Sequence, residues 1–433
     1  MEYSLILKQA EDLRKQKKFA DALPLYQTLW TQYRTQANEW TGWAYAQCLK
    51  NEKLYADALN VTRDVYKLYP NFELNNRLYA WCIYYTEIAV EKPDKNNLLK
   101  AVVGITKLSK QDDKYAPYTI AVMKTTGFFL TPFDHQNIIV LTNLLDPNLL
   151  DNNPFQFTDV RGKEFELAGN LEKYYQIRTK ALLRAGRYED CINLCETAMN
   201  QLQKFHYDND IWFRFKMANA YQHTQQYDKA EQLLLQVVER KQDWFVYHQL
   251  AELMVAANSD IQQDAIRYIC NALKDRRDTN LKLPAYELFM NICLKLNLNF
   301  QAILTWKLII AIRNENKWKI SEQFLEFGDT FGAGDTQYIM DLSLPEMLKK
   351  WNNEAYFVLR NRLIKFKGTI LFVDVVKKFG ALIDNDNKKH NFRLPKNANY
   401  LPQKGDKVEY ILQKYWDYKY NKVSHTAVNI GKV

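Results

Sequence analysis

Residues Glu39 to Pro70, EWTGWAYAQCLKNEKLYADALNVTRDVYKLYP, decide the fold class. Trp43, Ala46 and Leu49 are spaced to share one face of a first helix, and Asn51, Glu52 and Lys53 break it. Tyr55, Ala58, Leu59 and Val65 then share one face of a second helix that stops before Pro70. The small residues Ala46 and Ala58 mark where the two backbones approach closely. A single pair of this kind leaves an apolar face uncovered, so further copies must stack on it.

Degenerate copies lie on both sides. Phe19, Ala20, Ala22 and Tyr26 match the second helix of a preceding unit. Leu182, Ala185, Gly186, Tyr188, Cys191 and Cys195 form another, and Ala218, Ala220, Tyr221, Tyr227, Ala230 and Leu234 repeat its pattern. Fainter copies include Leu250, Ala251, Ala265, Ile269 and Ala272, then Ala285, Leu288, Cys293, Ala302 and Trp306. With its alanine early in the second helix and its later proline, the Glu39–Pro70 unit resembles the tetratricopeptide repeat (TPR). That resemblance implies an α-solenoid over residues 1–340 whose concave face takes a protein or peptide partner. Residues 92–169 fit worst, because FFLTPFDHQN and DPNLLDNNPFQFTDVRGKEF carry prolines and turn residues, and an irregular insertion is expected there.

Composition agrees with a folded, mainly α chain. Of 433 residues 47% are hydrophobic, while 13 Gly and 11 Pro are few turn formers for a large β-protein. The N-terminus, MEYSLILKQAEDLRKQ, lacks the continuous apolar stretch of a secretory signal, and no apolar run is long enough to span a bilayer. Six scattered cysteines read as reduced, buried thiols, which together with these absences gives a cytoplasmic expectation and no membrane partner.

The net charge of +9 is unevenly placed. From Ser343 onward 18 Lys+Arg face 8 Asp+Glu, leaving 41 against 42 in the rest of the chain. A basic end on a neutral array suggests separate partners, the basic one facing phosphates. Glycines at 328, 332 and 334 mark a boundary, after which Ser343 can cap a connecting helix over residues 343–366. Beyond it, KGTILFVDVVKKFGALIDNDNKKHNFRL (367–394) changes to short runs of strand formers separated by Asp-Asn and Lys-Lys, with further strands at 407–413 and 423–430. Five short strands over residues 367–433 predict a small β-barrel.

Gly368, Phe372, Lys377, Phe379 and Gly380 fall at the spacing of the first two strands of cold-shock domains. The segments Gly405–Tyr410 and Ala427–Ile430 look like the fourth and fifth strands. The resemblance implies an oligonucleotide-binding (OB) type face on which aromatics stack bases and cations meet phosphates of RNA or single-stranded DNA. Phe372 and Phe379 keep aromatic positions, whereas Ala381, Asn391, Arg393 and Leu394 replace others, with Arg393 able to stack through its guanidinium plane. Lys377, Lys378, Lys388, Lys389 and Lys396 complete the candidate nucleic-acid-binding set. The competing reading is a barrel turned into a protein-docking module, with Phe372 and Phe379 buried.

No catalytic signature or metal-ligand spacing accompanies these features. Gly332-Ala-Gly334-Asp335 lacks the Lys-Ser/Thr of a phosphate loop, and the six histidines form no ligand pattern. A non-enzymatic adaptor without cofactors is therefore expected, or a scaffold for proteins alone.

Overall fold

The structure is a computed structural model describing residues 2–258, 260–275, 277–330, 342–394 and 400–433. It is a TPR-like helical array followed by a five-stranded sheet, and it divides into two compact units, residues 1–209 and 210–433. Unit 1 holds α1 (Glu2–Lys15), α2 (Phe19–Thr31), α3 (Glu39–Asn51), α4 (Tyr55–Leu68), α5 (Glu73–Ile83), α6 (Lys95–Leu108), α7 (Tyr118–Phe128) and α8 (His135–Thr142). A hairpin of β1 (Phe155–Thr158) and β2 (Glu164–Leu167) precedes α9 (Asn170–Arg184) and α10 (Tyr188–Gln201). The helices of unit 2 are α11 (Asn209–His223, entering from unit 1), α12 (Tyr227–Arg240), α13 (Trp244–Ala257), α14 (Gln263–Ala272), α15 (Leu283–Lys295), α16 (Asn299–Glu315), α17 (Glu322–Thr330), α18 (Leu344–Trp351) and α19 (Phe357–Arg360). Its strands are β3 (Phe366–Asp374), β4 (Phe379–Asp384), β5 (Lys389–Arg393), β6 (Lys407–Asp417) and β7 (Lys422–Lys432).

Among the described residues, one turn closes the first helix of five helix pairs. Lys17, Lys53, Gly186, Gln225 and Asn297 each adopt a left-handed conformation, φ between 56° and 72°, just after a first helix. The next amide reaches back five residues: Lys18 N to Leu13 O at 2.9 Å, Leu54 N to Leu49 O at 2.9 Å, Arg187 N to Leu182 O at 3.0 Å, Gln226 N to Tyr221 O at 2.8 Å and Leu298 N to Cys293 O at 2.8 Å. This is the closing bond that satisfies a carbonyl at a helix end. Five residues after each left-handed residue stands a small side chain, Ala22, Ala58, Cys191, Ala230 or Ala302, and all are completely buried. The recurring turn fixes the angle of the pair, and the small residue sets how closely its helices pack.

The expected irregular insertion over 92–169 contains three helices, α6, α7 and α8, which cover fewer than half of its residues. The prolines lie between these short helices: Pro117 is the N-cap residue of α7 and Pro132 precedes α8. Asp94 and Asp134 cap α6 and α8 by accepting from Asn96 N at 2.9 Å and Asn137 N at 3.1 Å. The connections between these helices, together with the hairpin and its flanks, make up the irregular part. Glu166 on β2 accepts from His206 Nε2 at 2.8 Å, and His206 Nδ1 bonds Glu172 of α9 at 2.6 Å, tying the hairpin to the helices. Burial pulls the His206 pKa down, but its bonds to Glu172 and Glu166 outweigh this and raise it.

The connecting helix expected over 343–366 is shorter. Ser343 begins α18, with Glu346 accepting from Ser343 N at 3.0 Å, but a π-turn follows at Asn352–Tyr356 and α19 ends at Arg360. Each of the five strands then pairs with two neighbours in the order β3-β4-β5-β7-β6, and β6 returns to β3. The β5–β7 seam is a single parallel bridge, Phe392 to Ala427, so the sheet is curled and closed only loosely. Ile370, Leu382, Phe392, Val408, Tyr410 and Ala427 fill its interior.

Close packing in unit 1 gives a paired test. A Cβ on Gly42 of α3 would stand 2.4 Å from Val65 Cγ2 and 2.5 Å from Trp30 Cη2, whereas one on Gly127 of α7 meets nothing within 4 Å. Gly42→Ala is expected to lower stability by ~1–3 kcal/mol through overpacking. Gly127→Ala should raise it by up to ~1 kcal/mol through helix propensity. Urea denaturation of both variants checks the pair, and an unaltered midpoint for Gly42→Ala would contradict the packing described.

Candidate nucleic-acid interface

The side of the sheet carrying β6 is committed to the helices of unit 2. Lys414 on β6 places Nζ 2.7 Å from Glu231 of α12 and 3.4 Å from Asp264 of α14. Burial lowers the Lys414 pKa, but the bond to Glu231 and the charge of Asp264 outweigh it and keep the ammonium charged. Arg267 of α14, itself buried, pairs with Asp264 and donates to the carbonyl of Leu412. Trp416 is buried within the same apolar core as the helices. The link is anchored as well, because Trp351 of α18 is fully buried and donates to Thr305 Oγ1 at 2.9 Å.

The outward face of β3, β4 and β5 is built by register. Phe372 lies opposite Ala381, which lies opposite Asn391; two residues along, Asp374, Phe379 and Arg393 form the next row. An irregularity between Ile370 and Phe372 switches parity, sending Ile370 inward and Phe372 outward. Phe372 and Phe379 are 38% and 36% exposed, so neither is the buried core residue of the competing reading. Their rings meet edge to face with centroids 5.6 Å apart, and Lys389 Nζ lies 5.6 Å from the Phe372 ring. Gly380 is needed between them, since a Cβ there would stand 2.4 Å from Phe392 Cζ inside the sheet.

Phe372, Phe379, Lys389, Asn391 and Arg393 thus come together on one face. Lys377 and Lys378 are exposed in the β3–β4 turn beside Phe379, the turn being held by Asp374, which accepts from Lys377 N at 2.8 Å. Lys388 sits in the β4–β5 turn at the other end of the face, where Asp384 accepts its N–H at 2.8 Å. The hydrogen bond from His390, at 2.9 Å, lowers the Asp384 pKa. Lys396 lies outside the described residues. The sequence reading passed over the β6–β7 loop, where Tyr418 and Tyr420 are each 62% exposed and Lys419 and Lys422 lie 5.1 and 5.5 Å from the Tyr420 ring. The alternation of Tyr and Lys in DYKYNK was the available signal.

A family model described as a domain of unknown function (DUF7017) matches residues 211–330. Structure neighbours are TPR-repeat proteins. One is the C-terminal part of a TPR repeat-containing protein from Cytophaga hutchinsonii, 12% identical, covering 66% of this chain and 94% of its own with a TM-score of 0.28. Another is the TPR2AB domain of yeast Sti1 in a pHSP90 complex, 10% identical, covering 68% and 97% with a TM-score of 0.25. A human IFIT1 dimer with m7Gppp-AAAA is 9% identical, covering 80% and 79% with a TM-score of 0.37. No curated protein matches. Among the described residues no group of His, Cys, Asp or Glu could hold a metal ion, and no helix is long and apolar enough to cross a membrane.

The docking contact can be broken singly. Lys414→Met leaves Glu231 without its cation in a largely desolvated place, and the loss is expected at ~1–3 kcal/mol, reduced from the fully buried case because both partners keep some solvent contact. Hydrogen exchange should accelerate in β6 and β7. Unchanged exchange there would show that the ion pair does not hold the sheet.

Proposed function

We propose that this chain is a non-enzymatic adaptor in which the helical array holds a protein or peptide partner and the C-terminal sheet holds RNA or single-stranded DNA. The observation that carries the nucleic-acid half is the exposed Phe372–Phe379 pair flanked by Lys389 and Arg393, on a face that docking leaves open. Exposed aromatics beside cations serve as stacking platforms for any base, and lysines at Lys377, Lys378 and Lys388 extend the positive rim. The strand order supports an OB-type reading, which is a partly open, five-stranded Greek-key arrangement. For the protein half, Trp40 of α3 is 51% exposed, packs on Phe72 with centroids 4.9 Å apart, and neighbours Trp43, over which Arg14 stands at 5.3 Å. Tryptophan and arginine together are the usual anchors of a protein interface. Six free, buried cysteines suit the cytoplasm.

A scaffold for proteins alone remains the second reading, favoured by the docking of β6 on α12 and α14. It predicts that charge reversal at Lys377, Lys378, Lys388 and Lys389 leaves function intact.

Filter binding with the full chain separates them, since Trp416 shares a core with the helices and the sheet is not cut free. Phe379→Ala should weaken binding by ~1–3 kcal/mol with little effect on the salt slope and without unfolding, as expected of a half-exposed stacking residue. Lys377→Gln with Lys389→Gln should weaken binding to all sequences and reduce the slope by about one for each phosphate that is no longer neutralised. Absence of any salt-sensitive affinity at low salt would remove the nucleic-acid half.

A further inference from the structure

Among the described residues of unit 2, the β6–β7 loop is the most exposed aromatic feature, and its conformation is fixed by hydrogen bonds within the loop. Asp417 accepts from Lys419 N at 3.0 Å and Tyr420 N at 3.3 Å, and Asn421 takes a left-handed conformation with φ 48°. Tyr418 and Tyr420 are therefore held outward by a turn whose carboxylate is already engaged. What lies beside them follows from the direction in which β6 crosses the array. From the Lys414–Glu231 contact, four residues of strand advance ~13 Å, and nine residues of helix advance about the same distance. This heading carries Tyr418 toward the Arg240 end of α12, where partial burial of its hydroxyl and then the charge of Glu239 raise its pKa against the opposing charges of Arg214 and Arg240. Glu239 in turn feels Arg393, the cation of the open face, and Asp417, the cap of the loop. Arg214 and Arg240 both contact Asp210, at 3.1 and 2.6 Å, so one carboxylate faces two guanidinium groups.

We propose that a single strand bound on the β3–β5 face continues past Arg393 onto the Tyr418–Tyr420 loop and the Arg240 end of α12, so that the helical array forms part of the nucleic-acid site. This rests on the nucleic-acid reading of the open face and extends it beyond the sheet. Bases stack on Tyr418 and Tyr420, Lys419 and Lys422 meet the adjoining phosphates, and Arg240 takes the phosphate at the far end. The acidic groups there, Asp210, Glu239 and Asp417, offset part of this positive charge, so stacking supplies the larger share of the attraction. The footprint then exceeds what the five strands alone cover.

The test compares oligo-dT and oligo-U of four and twelve nucleotides on the full chain. Tyr418→Ala with Tyr420→Ala should weaken the twelve-nucleotide probes by at least ~5-fold, the lower end of what one stacked base contributes. The four-nucleotide probes should be unaffected, and thermal unfolding should be unchanged because both rings are solvent-exposed. Arg240→Gln should lower the salt slope by about one for the long probes alone. Equal effects on both lengths, or none on either, would overturn the extension onto the array while leaving the open-face reading standing. A wild-type chain that binds neither length would overturn both.

Discussion

The left-handed residue that ends five of the first helices among the described residues is the constraint on which much of the array depends. It reverses the chain in a fixed way, and five residues later it delivers Ala22, Ala58, Cys191, Ala230 or Ala302 to the same buried point. Only one of the five left-handed positions is glycine; Asn297 tolerates the conformation, while Lys17, Lys53 and Gln225 adopt it against their intrinsic preference. The closing hydrogen bond and close helix packing outweigh that local cost. The α11–α12 pair is set this way, and Glu231 of α12 stands within reach of Lys414 of the sheet together with Asp264 of α14.

That docking decides which face of the sheet is open. Lys414, Arg267 and Trp416 use up the side of β6, and the outward rows of β3, β4 and β5 are left with Phe372, Phe379, Lys389 and Arg393. The arrangement reconciles the two readings of the basic C-terminal end. Part of its charge, at Lys414, is spent on protein carboxylates; the rest surrounds the aromatic pair. A sheet fixed to the array also presents its face at a constant orientation, which a tethered module would not.

Legibility followed sequence distance. The helix pairs were readable because their code is local: a break, an aromatic at Phe19, Tyr55, Tyr188 or Tyr227, then a small residue three positions later. Gly368 and Gly380 stood out only through the cold-shock resemblance, and the structure supplies the reason for them, since strands that approach this closely leave no room for a Cβ. Helices α7 and α8 were hidden because 11 and 8 residues hold too few turns to establish a period, and the framing prolines looked like interruptions. The docking was invisible because Lys414 and Glu231 are 183 residues apart, and nothing in either neighbourhood names the other. The parity switch before Phe372 was likewise unreadable, as an irregularity in pairing leaves no residue-type mark. Exposure of Phe372 and Phe379, the point on which the functional reading turns, therefore needed the three-dimensional structure.

In the proposed arrangement, docking on α12 and α14 leaves β3–β5 as the nucleic-acid face. Photo-cross-linking of the full chain to 4-thiouridine RNA, with the attached peptides identified by mass spectrometry, tests it most directly. Adducts are expected within β3, β4 and β5, Phe372 or Phe379 among them, and none on Lys414 or Trp416, which contact the helices. Adducts that avoid these three strands, or a complete absence of adducts at low salt, would contradict it.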